Sequence, residues 1–251
     1  MKIDLNSDLG ESFGPYKIGC DREVIPLITT ANVGCGFHGG DPMVMAETVK
    51  LCKENNVRVG AHPGYPDLQG FGRRKMVLSY EEIRNNTIYQ IGALMAFCDA
   101  CGIKMQHVKP HGAFGNLAMV DEAAANAFCE AAASVDKDLF VYGYAGCTLL
   151  KVAEKYGLRP VHEFYCDRAY MEDGTLAPRK LPGAVIHNKE LALTRALRMA
   201  DTGEVETLSG KTIKLSAESF CVHGDTPEAL SFITSIRKKF AEEGIEITNV
   251  Q

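Results

Sequence analysis

An α/β fold with a parallel sheet covered by helices is what this sequence predicts, and three observations lead there. Strand-like and helix-like segments alternate along all 251 residues. Seven runs are strand-like, which points to a closed or nearly closed barrel, with an open doubly wound sheet as the alternative. Four of the seven histidines close a short apolar run just before a Gly or Pro turn. They are His38 in NVGCGFHGGDP, His62 in VRVGAHPGYPD, His111 in MQHVKPHGAFGN and His223 in ESFCVHGDTPE. A strand that ends in His and breaks at Gly points its imidazole at the mouth of a barrel. Several such ends around one axis form a shared polar pocket.

The strand-like runs are KIDLN at the start, then TANVGCG at 30–36, VRVGA at 57–61 and KMQHVKP at 104–110. LFVYGYA at 139–145, RPVHEF at 159–164 and ESFCVH at 218–223 complete the series. Between them, apolar residues recur with helical period over 43–55, 80–101, 121–134, 146–156, 188–200 and 227–243. Asp41-Pro42 reads as a helix cap followed by a first-turn proline, and Ser79 stands just before Glu81 and Glu82 in the same manner. Residues 63–76 and 165–183 are long Gly/Pro-rich loops whose aromatic and Arg content argues for ordered, functional segments. VETLSGKTIKL at 205–215 reads as a hairpin. No linker, low-complexity tract or internal repeat interrupts the chain, so one domain over 1–251 is expected.

Composition narrows the function classes. Hydrophobic residues make up 46% and charged residues 24%, enough apolar material for a large core. The net charge of −5 and the absence of a dense Lys/Arg run argue against nucleic acid or an anionic membrane as partner. The acidic start MKIDLNSDLGE has no apolar leader stretch, and no window is long enough to span a bilayer. A cytoplasmic location is expected. Nine dispersed cysteines suit buried thiols in a reducing compartment better than a disulfide framework.

Chemistry concentrates at the strand ends. Asp8 and Glu11 follow the first strand, where a carboxylate serves as general base or joins His38 and His62 in a divalent-metal site. Those three ligands would come from three different strands, since no H-E-x-x-H spacing occurs. Asp41 follows His38 closely. Lys109, two residues before His111, is placed to donate to a developing oxyanion or to pair with a neighbouring carboxylate. Arg73 and Arg74 in the first long loop, and Asp167, Arg168, Tyr170 and Arg179 in the second, suit a small anionic substrate held by guanidinium forks. The same charges can instead tie their own loops together. LSGKT at 208–212 lacks the upstream glycine of a phosphate-binding loop, and no G-x-S-x-G nucleophile elbow is present.

The segments DLNSDLGESFG, ANVGCGFHGGDP, GAHPGYPDLQGFGRR, VKPHGAFGN, EFYCDRAYMEDGTLAPR and CVHGDTP resemble, in order, the signature segments of the LamB/YcsF family. The resemblance runs from residue 1 to about residue 245. It implies a seven-stranded β/α barrel of the glycoside hydrolase/deacetylase type. It also implies a part in ATP-dependent opening of 5-oxoproline (pyroglutamate) to glutamate, with two further subunits, B and C, and ATP as co-substrate. This chain has Ser7 where the family commonly has Cys, Gly115 where Tyr is usual, and Cys166 where Ala is usual. Gly115 is expected to open space near His111.

Taken together, these readings make the chain an amidohydrolase component for a small carboxylated lactam. Asp8 is expected as base or metal ligand, Lys109 as oxyanion donor, and His38, His62 and His111 as polar groups of the pocket. Glu11, Asp41, Arg73, Arg74, Asp167, Arg168, Tyr170, Arg179 and His223 are expected around the substrate. Two rival functions are a metal-dependent deacetylase acting alone on an acylated sugar and a non-catalytic metabolite-binding regulatory subunit.

Overall fold

The computed structural model of the chain describes residues 1–222 and 227–251, with side chains outside 227–229. Its first strand, β1 (Lys2–Leu9), is followed by a single helical turn, α1 (Asp21–Val24). The chain then alternates: β2 (Thr30–Gly34), α2 (Pro42–Glu54), β3 (Arg58–His62), α3 (Tyr80–Cys101) and β4 (His107–Val108). Next come α4 (Gly112–Ala118), α5 (Glu122–Val135), β5 (Phe140–Tyr144), α6 (Thr148–Lys155) and β6 (Arg159–Tyr165). After the second long loop follow α7 (Lys189–Thr202) and an antiparallel hairpin of β7 (Glu204–Glu206) and β8 (Thr212–Lys214). The chain ends with β9 (Ser219–Cys221), α8 (Pro227–Glu242) and the short β10 (Glu246–Ile247).

Strands β1 to β6 and β9 pair in parallel, and β9 also pairs with β1, so seven strands close a barrel. Register at the seam is Asp4 to Ser219, Leu5 to Phe220 and Asn6 to Cys221. The closed barrel, rather than the open sheet, is therefore the arrangement that the seven runs adopt. β10 lies outside it, extending the sheet beside the first residues of β1.

Helix starts follow the capping chemistry of the sequence. Asp41 accepts from the backbone N–H of Met43 and Val44 at 2.8 and 2.9 Å, with Pro42 in the first turn of α2. Ser79 and Glu82 form a reciprocal capping box at the start of α3, which ends on Gly102 in the left-handed region. Two helices, the single turn α1 and the longer α4, had no signal in the sequence. α4 carries two glycines in seven residues, a weak intrinsic former, and its buried Phe114 and Ala118 hold it against α5.

Residues along each strand alternate between two environments. Ile3, Leu5, Leu9, Ala31, Val33, Val59, Ala61, Val108, Val141, Phe164 and Phe220 belong to the main apolar cluster between barrel and helices. The other face of each strand looks into the barrel, and it is largely polar. Asp4, Asn6 and Asp8 on β1, Thr30 and Asn32 on β2, His62 on β3, His107 on β4, Glu163 on β6 and Ser219 and Cys221 on β9 share that interior with Tyr142 of β5.

Near the N-terminal ends of the strands, Asp4 accepts from Thr29, Thr30, Ser219 and Tyr142. Burial nonetheless pushes its carboxyl above the usual range. A small apolar cluster of Phe140, Tyr142, Val161 and Val250 closes that end. Above it, His107 donates from Nε2 to Asn32 Oδ1 at 2.7 Å, and Asn32 donates to both Asn6 and Asp8 at 2.8 Å. Gly60 makes room for the His107 ring, because a Cβ there would lie 2.3 Å from it. All nine cysteines are free thiols. Among the described residues, no helix is long and apolar enough to cross a membrane.

Candidate functional site

A pocket of about 150 Å³ opens at the C-terminal ends of the strands, well above the ~10–15 Å³ that admits one water. Its lining includes Asp8 and Glu11 at and just after the end of β1, His62 at the end of β3, and Lys109 and His111 after β4. Tyr144 and Tyr165, at the ends of β5 and β6, complete the wall, and the two long loops add Arg73, Arg168 and Arg179. Each floor residue sits where a strand ends and its side chain still points along the axis.

Lys109 occupies the deepest position. Its Nζ lies 2.7 Å from Glu163 Oε1, 3.0 Å from Asp8 Oδ1 and 3.3 Å from Cys221 Sγ. Burial alone would lower this ammonium, but Asp8, Cys221 and Glu163 outweigh it and hold Lys109 well above the usual range. Its Nζ donates to Asp8 Oδ1, Cys221 Sγ and, at 3.4 Å, Asn6 Oδ1, while Glu163 faces it as an ion-pair partner without hydrogen-bond geometry. Donation to an oxyanion would require one of these partners to be released. The expected pairing with a neighbouring carboxylate is what the geometry displays, with two carboxylates in place of one. Asp8 Oδ1 is held by Lys109 and Asn32, and its Oδ2 lies 3.4 Å from His62 Nε2.

The histidines gather beside Asp8. His38 and His111 stack face to face, with ring centroids 3.6 Å apart, and His62 stands edge-on to both. Gly72, with φ of +61°, passes so close that a Cβ would lie 2.7 Å from His38 and 2.8 Å from His111. His62 donates from Nδ1 to the Lys109 carbonyl at 2.7 Å, and His111 donates from Nε2 to the Phe71 carbonyl at 2.8 Å. His38 Nε2 is 2.8 Å from Glu11 Oε1. Burial, and then the neighbouring imidazoles, push His38 and His111 well below the usual histidine range. One donor atom from each of Glu11, His38, His62 and His111 lies within 4.8 Å of the others, a set that can hold a metal ion. The sequence points to Asp8 with His38 and His62 as ligands. Glu11 and His111 join the two histidines, and Asp8 stands next to the group.

The remaining expected residues divide between pocket and scaffold. Arg73 lines the pocket with its guanidinium over the Phe71 ring, and Arg179 lines it from an exposed position. Arg168 also lines it but is buried. It donates to the carbonyls of Ala177 and Ala184, and burial followed by Arg179 lowers its pKa. Arg74 is paired with Asp67 and locks the first long loop, away from the pocket lining. Asp41 caps α2 and accepts from Gly14 N–H, so its carboxylate serves the scaffold. Tyr170 is fully buried, stacks on Phe164 and accepts from Tyr165 N–H. Asp167 lies in the second loop outside the pocket lining, with its carbonyl bonded to Ile186 N–H. His223 lies outside the described residues.

Gly115 does line the pocket, but a Cβ there would lie 2.5 Å from the Pro110 carbonyl oxygen. This turn admits a side chain only with a backbone shift, so the glycine does more than vacate space. Sequence reading passed over Asn6, Asn32, His107, Glu163 and Tyr165. Their signal was a polar residue at every second position of an apolar strand, as in DLNSD at 4–8 and HEFY at 162–165.

Comparison with known proteins gives the family and the fold. The model of the LamB/YcsF family matches residues 3–251. The A subunit of a 5-oxoprolinase from Thermococcus sibiricus is 52% identical over 251 residues, covering 100% of this chain and 98% of that protein. The crystal structure of a lactam utilization protein from Thermus thermophilus matches with a TM-score of 0.95 at 45% identity, covering 100% of both chains. The catalytic domain of a peptidoglycan N-acetylglucosamine deacetylase from Eubacterium rectale matches with a TM-score of 0.53 at 10% identity, covering 100% of this chain and 88% of that one. At that identity the likeness is one of fold.

Proposed function

This chain belongs to the LamB/YcsF family, and we propose that it is the ring-opening subunit of an ATP-dependent 5-oxoprolinase, hydrolysing 5-oxoproline to L-glutamate with subunits B and C. The observation that carries this reading is the pocket itself. Carboxylates and imidazoles line its floor and three arginines line its wall, on a scale suited to a small carboxylated amide. Relatives named as the A subunit of 5-oxoprolinase and as a lactam utilization protein support the same substrate class.

A lactam is resonance-stabilised and a poor electrophile. Phosphorylation of its carbonyl oxygen by ATP, handled with the partner subunits, converts that oxygen into a leaving group. Water then adds to the activated carbon, the carbon–nitrogen bond breaks as the ring nitrogen takes a proton, and a second water hydrolyses the resulting acyl phosphate to the carboxylate and free phosphate. Asp8 is suited to accept the proton from water. Its Oδ1 is fixed by Lys109 and Asn32, which orients the carboxylate toward the pocket. Lys109, tied to Glu163 as well, keeps Asp8 in place and partly offsets its charge. Arg73, Arg168 or Arg179 would take the substrate carboxylate in a bidentate fork.

The test is 5-oxoproline-dependent release of ADP and glutamate. The assembled three-subunit system should release both, and the same system with Asp8→Asn should lose most of the glutamate. An assembled system that releases no glutamate from 5-oxoproline, or one in which Asp8→Asn has no effect, would refute the proposal.

A further inference from the structure

The protons on the clustered histidines can be placed from their backbone partners. A carbonyl oxygen only accepts, so His62 carries its hydrogen on Nδ1, facing the Lys109 carbonyl, and His111 carries its hydrogen on Nε2, facing the Phe71 carbonyl. A neutral imidazole has one N–H. With both rings neutral, His62 Nε2 and His111 Nδ1 are bare lone pairs facing each other at 3.0 Å in a buried site, with Asp8 Oδ2 3.4 Å from His62 Nε2. Glu11 Oε1, a third electron-pair donor, lies 3.4 Å from His111 Nδ1, and His38 Nε2 lies 2.8 Å from the same oxygen. Lone pairs packed this closely away from water repel unless a cation lies between them.

We propose that Glu11, His38, His62 and His111 form a binding site for a divalent cation of the zinc class. In a tetrahedral site with metal–ligand distances of about 2.0–2.1 Å, neighbouring donors stand roughly 3.3–3.4 Å apart. The 3.4 Å contact already fits, those at 2.8 and 3.0 Å would open by roughly 0.3–0.6 Å to reach that spacing, and all four donors lie within 4.8 Å of one another. Three nitrogens and one oxygen select zinc and related ions over magnesium or calcium, which prefer all-oxygen shells. The Lys109 and Phe71 carbonyls orient two of the ligands from behind. His38 has no such support. Its Nδ1 is buried with no hydrogen-bond partner among the described residues, and it is the weakest of the four ligands. Glu11, His62 and His111 all line the pocket, so a bound ion would supply Lewis-acid polarisation to a carbonyl or a water there.

The inference adds to the lactam reading without depending on it, because ion binding is measured with no substrate. Chelator-treated full-length chain is titrated with zinc by calorimetry, and its metal content is measured after dialysis. Cobalt(II) loading is followed by visible absorption. Unsubstituted protein should bind one zinc and give the intense bands of four-coordinate cobalt, while magnesium gives no heat. His62→Ala, His111→Ala and Glu11→Gln should each weaken zinc by more than the roughly 10–100-fold typical of outer-shell changes. His38→Ala should weaken it less, and Asp8→Asn should keep full stoichiometry. Unsubstituted protein that takes up no zinc overturns the proposal whatever the variants do. So does loss of zinc in Asp8→Asn with retention in Glu11→Gln. A doubly protonated His62 or His111 in the nitrogen NMR spectrum of zinc-treated protein would overturn it too, since a proton would then be the bridging cation.

Discussion

Replacing Lys109 by Met should unbalance the barrel interior more than any other single side-chain change on its axis. The methionine keeps most of the stem and deletes the charge. It leaves Asp8 and Glu163, each within 3.0 Å of the missing nitrogen, facing each other without a counter-ion. The Lys109 side chain is 2% exposed and that of Glu163 0%, so solvent does little to screen the remaining pair. Breaking a buried ion pair in this way costs roughly 3–5 kcal/mol. At about 2–4 °C per kcal/mol for a chain of this size, the melting temperature should fall by about 6–20 °C.

The pH dependence has a definite sign. Lys109 is held well above its ordinary value, so in the unsubstituted protein its contribution is complete below the unfolded lysine pKa and is lost only as the pH rises through the higher folded value. Over pH 5–9 that contribution is constant. In Lys109→Met the facing carboxyls are raised, so the folded state binds more protons than the unfolded one. The variant's stability should therefore fall as the pH rises from 5 to 8. Urea unfolding of both proteins at several pH values reads this directly. The double variant Lys109→Met/Glu163→Gln removes the second charge and should recover a substantial part of the loss. A single variant that loses less than about 1 kcal/mol, against the 3–5 expected, or a double variant no more stable than the single, would refute the account of Lys109 as a charge balance.

Three further outcomes test the scaffold. Gly60→Ala places a Cβ 2.3 Å from the His107 ring, which is itself held by Asn32 and by Tyr142 at 4.5 Å, and should cost about 1–3 kcal/mol. Gly92→Ala, in the exposed interior of α3 with nothing within 4 Å, should instead stabilise by roughly 0.4–1 kcal/mol, and thermal melts of the two variants compared with the parent decide it. Asp41→Ala should lose about 1 kcal/mol of cap energy while leaving glutamate release by the assembled system unchanged, and a large loss of turnover would mean that Asp41 reaches the substrate.

Local signals in the sequence decided much of this protein. The period of the apolar residues set each of the seven strands and six of the helices, because that period decides which face a segment can bury. The caps at Asp41 and Ser79 are chemistry within three residues of themselves, and they are read where they stand. The strand-end histidines brought His38, His62 and His111 to one mouth, since parallel strands in a closed barrel all end on the same side.

Tertiary structure decided the partners. Which carboxylate joins the histidines depends on how the turn after β1 folds back. That turn puts Glu11, not Asp8, within 2.8 Å of His38. Whether an arginine holds its own loop or faces the pocket depends on contacts such as Arg74 with Asp67, seven residues away along a loop whose path has no period. The polar barrel interior joins residues up to 215 positions apart, such as Asp4 and Ser219. Alternation along one strand could show that Asn6, Asn32, His107 and Glu163 share a face type. Closing the sheet decided that these faces meet across one axis, because only a closed register sets Asp4 beside Ser219 and Asn6 beside Cys221.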